Sequence, residues 1–185
     1  MAQAVQQNAE RIAVRELETA VAFSSLRDEV LGLHEILRPR LIRYVVYMGL
    51  TLSDAEDVVQ ETFLGLYRHL LADRPRTNLP GWTFRVAHRL ALKRRVRYRA
   101  EAYDPADASR SQQIAAGEPS PEEEFLLNEQ QGRLKRIFHA LPEMDRLCLQ
   151  LRAEGLKYRE IAGVLSISLG SVYNSLERSL SRLRS

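Results

Sequence analysis

The chain has 185 residues, a hydrophobic fraction of 45%, a formal net charge of +3 and a single cysteine. That length suits one domain or two small ones. No apolar run approaches the roughly 20 residues of a membrane span, and the polar start MAQAVQQNAERIAVRELE lacks the apolar stretch of an export signal. The lone Cys148 excludes an internal disulfide framework and fits a reducing, cytoplasmic setting.

Residues 1 to about 25 have helical propensity without an evident partner for their apolar positions, so a helix and a disordered extension both fit. From about Leu26 to Met48 the periodicity predicts a helix with Leu33, Ile36, Leu37, Leu41, Tyr44, Val45 and Met48 on one side. Pro39 predicts a kink or break near Arg38, and Gly49 closes the segment. Ser53-Asp54-Ala55-Glu56 has the form of a capping box. The helix after it carries Ala55, Val58, Val59, Thr62, Phe63, Leu66, Tyr67 and Leu70 on one face. Asp54, Asp57, Gln60, Glu61 and Arg68 lie on the other.

A turn over Arg74-Pro75-Arg76-Thr77-Asn78 leads to a helix from about Pro80, with Trp82, Val86 and Leu90 pointing inward. Its later turns are basic nearly all round. Between Arg85 and Arg99 there are seven cations (Arg85, Arg89, Lys93, Arg94, Arg95, Arg97, Arg99) and no acid. A helix that polar needs solvent or a polyanion around it. From Glu101 to Glu124 the sign reverses, with seven acids (Glu101, Asp104, Asp107, Glu118, Glu122, Glu123, Glu124) against Arg110 alone. Residues 101–120 lack periodicity and read as an acidic linker.

Ser120-Pro121-Glu122-Glu123 opens another helix with a second capping box, continued by Phe125, Leu134, Ile137, Phe138 and Leu141. Leu141-Pro142 separates it from a stripe of Met144, Leu147, Cys148 and Leu151, with proline at the first helical position. That stripe makes Cys148 a core residue rather than a nucleophile. Gly155 ends the segment, and Tyr158, Ile161, Ala162 and Leu165 form a short helix. Ser166-Ile167-Ser168 is a tight turn, after which Ser168 caps a last helix. Its buried side is expected to be Leu169, Val172, Leu176, Leu180 and Leu183, leaving Ser171, Asn174 and Arg178 outward. Two helices joined by a tight turn, the second with a polar outer face, form a helix-turn-helix. The fold class is therefore all-α: two small helical domains joined by a flexible acidic linker.

Catalytic chemistry has no foothold in this pattern. His34, His69, His88 and His139 show no metal-ligand spacing with one another or with Cys148, so no metal or other cofactor is expected. The nine glycines are scattered and build no phosphate-cradling loop.

DAEDVVQETFLGLYRHL, the tryptophan-led basic helix and LPEMDRLCLQLRAEGLKYREIAGVLSISLGSVYNSLERSLSRLR together resemble a bacterial sigma-70 family factor of the extracytoplasmic function (ECF) group. The resemblance implies region 2 over residues 26–100, a linker over 101–120 and region 4 over 121–185, with 1–25 an extension outside it. It implies a cytoplasmic initiation factor, not an enzyme, whose partners are core RNA polymerase, promoter DNA and an anti-sigma factor, without membrane insertion. Asp57, Gln60 and Glu61 match the surface that docks on the clamp of the largest polymerase subunit. The −10 contacts implied are Trp82, Phe84, Arg85, His88, Arg89, Lys93, Arg94, Arg95 and Arg97, although Trp82 reads equally as a core residue. Arg89 and Lys93 stand where the family usually has asparagine and aspartate, which implies a more electrostatic grip. The −35 contacts implied are Ser171, Tyr173, Asn174, Ser175, Arg178 and Arg182.

Two rival readings use the same residues. A dimeric helix-turn-helix regulator would have no need of the Asp57/Gln60/Glu61 face. An adaptor that binds protein alone would have no need of the basic helix.

Overall fold

The computed structural model describes the backbone of residues 2–101, 138 and 140–184, and the side chains of 23–98, 138 and 140–184. Within them run α1 (Ala2–Tyr47), α2 (Leu52–Leu71), α3 (Leu79–Glu101), α4 (Glu143–Ala153), α5 (Tyr158–Leu165) and α6 (Leu169–Arg184). Among the described residues there is no strand. The expected linker beyond Glu101, the second capping box and the helix expected through Ile137 lie outside the described residues.

Helix α1 is 46 residues long and passes through Pro39, where the sequence predicts a kink or break. A helix-interior proline costs about 3 kcal/mol. Here the same helix buries Leu37 on one side of it and Leu41, Tyr44 and Val45 on the other, all at most 1% exposed. Packing across the proline outweighs the lost backbone bond. Ile36, expected on the inner face, is 64% exposed.

The start of α2 is capped two residues earlier than the sequence suggests. Thr51, not Ser53, is the N-cap, and its hydroxyl accepts from the Asp54 amide at 3.2 Å. The expected apolar face is otherwise in place: Ala55, Val58, Val59, Thr62, Phe63, Leu66 and Leu70 are buried. Asn78 starts α3, its side-chain oxygen accepting from the Gly81 amide at 3.1 Å. On α3 the most deeply buried positions are Thr83, Phe84, Ala87 and Ala91, while Trp82, Val86 and Leu90 are only half-buried. The shift has a cause. α3 packs against α1 and α2 on one side and against α5 on another, so a wider arc of it is covered.

In the second half, Asp145 takes the inward place expected for Met144, which is exposed. Ser175 donates to Asp145 at 2.6 Å and the Arg178 guanidinium donates at 2.9 Å. This trio rolls α6 so that Val172, Ser175, Leu176 and Ser179 face α4, leaving Leu169 and Leu180 exposed. Burial opposes ionisation of Asp145, but the bonds from Arg178 and Ser175 outweigh it and hold the carboxyl below its ordinary range. Ser168 caps α6 as expected, accepting from the Ser171 amide at 3.0 Å.

The two helical units, α1–α3 and α4–α6, share one hydrophobic core running from Leu26 to Leu176. Their seam is also polar. Arg43 forks onto the Glu154 carboxylate at 3.1 and 2.8 Å, and Arg40 donates to the Glu154 carbonyl. The Glu154 side chain is 4% exposed. Tyr47 meets Phe138 edge-on with ring centres 5.8 Å apart, and Arg95 reaches Glu143 at 3.3 Å.

Two outcomes follow from these local contacts. Thr51→Ala is expected to lower stability in urea unfolding by about 1 kcal/mol, whereas Ser53→Ala should stay within about 0.5 kcal/mol of the parent. An aspartate whose folded pKa is depressed contributes stability that is present above the unfolded value and lost as pH falls through the folded one. Asp145→Asn should therefore flatten the acid limb of the stability profile below about pH 4. An unchanged limb would remove this trio as its source.

Candidate nucleic-acid interface

Helix α3 sorts its cations by what lies beside them. Arg94 is spent internally: it donates to Asp54 at 2.7 Å and to Asp57 at 3.1 Å, bracing α3 on α2. Burial works against the charge on Asp54, but bonds from Thr51, Tyr98 and Arg94 lower its pKa overall. Arg95 pairs with Glu143. Arg85 lies against α5 with its guanidinium at Gly163, where an added Cβ would sit 2.7 Å away. Arg89, Lys93 and Arg97 are exposed and bear no ion pair with a described residue. Spaced by four, they form one outward stripe. Arg99 lies outside the described side chains.

Three residues implied as −10 contacts are turned inward or partly so. Phe84 is fully buried and sits in the core beside Tyr44, ring centres 5.7 Å apart. His88 is 7% exposed, and its Nδ1 lies 2.7 Å from the Tyr44 hydroxyl. Burial first, then the charges of Arg95 and Arg89, pushes the His88 pKa down, while burial raises that of the Tyr44 phenol. The hydrogen bond between them therefore joins two uncharged groups. Trp82 is half-buried and packs against His69, centres 4.7 Å apart. In this arrangement Phe84 and His88 hold the core rather than a base, because a residue sealed between α1 and α3 presents no face to a strand.

The outer face of α6 presents Ser171, Tyr173, Asn174, Arg178 and Arg182. Ser175 does not belong with them: it is 3% exposed and its hydroxyl is committed to Asp145. Arg178 is exposed along its stem, yet its guanidinium is tied to the same carboxylate. Leu169, expected inside, joins Tyr173 at the outer start of α6, beside Lys157 and Arg159 of the turn before α5 and its first residues. On α2, Gln60 and Glu61 are exposed, whereas Asp57 shares Arg94 with Asp54.

Sequence reasoning missed Arg40, Arg43, Asp145 and Glu154, the residues that tie helices together by charge. One signal was available. Glu154 caps the C-terminus of α4, where the helix dipole disfavours an acid. Such a local violation points to a compensating cation elsewhere in the chain.

With this geometry in place, comparison with known proteins gives a consistent result. The family model for sigma-70 region 2 matches residues 33–101, and that for sigma-70 region 4 matches residues 131–183. The chain is 32% identical over 161 residues to ECF RNA polymerase sigma factor SigE of Mycolicibacterium smegmatis, an alignment covering 85% of this chain. It spans only 60% of that relative's length. It is 31% identical over 133 residues to the ECF RNA polymerase sigma-E factor of Escherichia coli, covering 68% of this chain and 70% of that protein. Among solved structures, CnrH in complex with the cytosolic domain of CnrY shares the fold, with a TM-score of 0.56 and 22% identity over 89% of this chain and 91% of CnrH. With both halves matched in order and a relative aligned over more than two thirds of its own length, the chain belongs to the ECF family of RNA polymerase sigma factors.

Proposed function

We propose that this sigma factor binds core RNA polymerase through the outer face of α2, grips the opened −10 strand with α3 and reads −35 duplex DNA with α6. The observation that carries this reading is the α3 stripe of Arg89, Lys93 and Arg97, exposed and without an ion pair among the described residues. Three like charges on one face repel one another unless a polyanion sits across them. A protein-only adaptor would gain nothing from that stripe.

The second reader works differently. The first turns of α6 offer short polar groups at Ser171 and Asn174, suited to base edges in a major groove. Arg182 and the exposed edge of Arg178 flank them as phosphate contacts. On α2, Gln60 and Glu61 take charge-assisted bonds from basic groups of the polymerase clamp. The chemistry of RNA synthesis stays with the polymerase, so the chain acts in the cytoplasm as a positioning subunit rather than a catalyst. Among the described residues no helix is long and apolar enough to cross a membrane. CnrH was solved with the cytosolic domain of a second protein, CnrY, which supports a protein partner here too, namely an anti-sigma factor.

Run-off transcription with purified core enzyme tests the reading: the chain is expected to direct a defined start site, and core enzyme that starts at no defined site in its presence would overturn it. Glu61→Lys combined with Gln60→Ala should weaken core binding about tenfold in a titration, with the helical signal unchanged. Removing Arg182 should reduce the salt slope of −35 duplex binding by about one. A slope equal to the parent's would take Arg182 off the phosphate backbone.

A further inference from the structure

We propose that the apolar first turn of α6, built from Leu169, Gly170 and Tyr173, reads thymine methyl groups in the −35 duplex and so sets which sequence this chain accepts. The inference rests on the reading of α6 as the −35 helix and adds the base it selects.

Helix α6 begins unlike the rest of its outer face. Leu169 is 47% exposed and Tyr173 53% exposed. Residues four apart share a helix face, so the two side chains stand together. Half-buried Tyr158 of α5 lies beside them, and a cleft of about 600 Å³ opens between the two helices. Its rim is basic: Lys157 and Arg159 are exposed and bear no ion pair with a described residue. The acid beside them, Glu160, accepts from the Lys157 amide at 2.6 Å. Ser171, the hydroxyl next along α6, is 2.8 Å from the Ser168 hydroxyl and shares a bond with it. Apolar surface therefore dominates the turn.

Gly170 supplies an independent observation. Its φ is not positive, and a Cβ added there would meet only the Ser168 hydroxyl, at 3.9 Å. Alanine would fit and is the better helix former. Nothing within the fold asks for glycine at this place. A glycine on an exposed helix start suits the close approach of another molecule.

The rim cations fit phosphates, and the turn between them sits where a recognition helix meets base edges. On the major-groove edges the apolar group is the thymine C5 methyl. Set against the other bases, Leu169 and Tyr173 would cover hydrogen-bonding groups and leave them unpaired. Set against methyls, both partners bury apolar surface. The rise from residue 169 to residue 173 is roughly 6 Å, close to two base steps of ~3.4 Å. Two thymines within three successive base pairs, on either strand, match the turn.

The test uses core polymerase loaded with the full chain, on a promoter fragment that gives a defined run-off start. Each thymine from about −40 to −30, on either strand, is replaced in turn by deoxyuridine, which deletes the methyl and keeps the pairing. Two nearby replacements should each weaken binding about fourfold, the worth of one buried methyl. Tyr173→Ala and Leu169→Ala should each abolish the penalty at one of the two positions, because that methyl has lost its partner. Tyr173→Phe should keep both penalties. The two truncated side chains are exposed, so the helical signal is expected to stay unchanged. Gly170→Ala should raise the melting temperature of the chain and weaken fragment binding about fivefold by crowding the contact. No penalty anywhere in the window, penalties that survive both truncations, or parental binding by Gly170→Ala would each overturn the proposal. Truncations that lower loading onto core polymerase while every penalty persists would overturn it too, and make the cleft a protein-docking surface. A defined start without a methyl penalty sinks the base assignment alone, whereas no defined start on any fragment sinks the sigma-factor reading with it.

Discussion

A carboxylate almost without solvent stands at the centre of this molecule. Glu154 closes α4 at the end where the helix dipole is already negative, and only 4% of its side chain reaches water. Left alone there it would bear the full desolvation cost of a buried charge. Two arginines from α1, more than a hundred residues earlier in the chain, stabilise the charge instead. The shared core from Leu37 through Phe84 to Ile161 and Val172 is then one continuous body rather than two.

Charge elsewhere divides into what is settled inside the fold and what is left for a partner. Arg94 is consumed by Asp54 and Asp57, and Arg178 is largely consumed by Asp145. These pairs orient helices: the first fixes α3 along α2, the second fixes the roll of α6 over α4. Arg89, Lys93 and Arg97 have no such partner among the described residues and face outward. The distinction matters for function, because a cation already bound to a carboxylate has to give up that bond to hold a phosphate.

Helix positions were legible from periodicity because the buried residues of α2 and α5 fall on a single stripe of each helix. The face of α3 was not, since it touches helices on two sides and a single-stripe pattern understates its burial. The roll of α6 escaped for another reason. Ser175 and Ser179 look like outer-face residues by polarity, yet each hydroxyl is satisfied within the fold, on Asp145 and on the Ser175 carbonyl. Small hydroxyls that bond locally pack as tightly as alanine, so hydropathy alone misplaces them. Pro39 misled in the opposite direction: a local breaker was overruled by burial on both sides of it. Phe84 and His88 carried the resemblance to strand-contacting positions but were claimed by the Tyr44 cluster, a contact 40 or more residues distant in sequence. The sequence marks α3 as basic nearly all round without singling out Arg89, Lys93 and Arg97; that distinction needed the surroundings of Arg85, Arg94 and Arg95.

On the proposed reading, one small chain addresses two separate stretches of the same promoter with two different helices. An iron chelate that cuts DNA, tethered through cysteine at position 97 of α3 or at position 174 of α6, reads this directly in a complex with core polymerase. The account predicts cleavage near −10 from the first site and near −35 from the second, on one promoter and with one start. Both tethers cutting the same stretch, or the α6 tether cutting nowhere upstream, would contradict it.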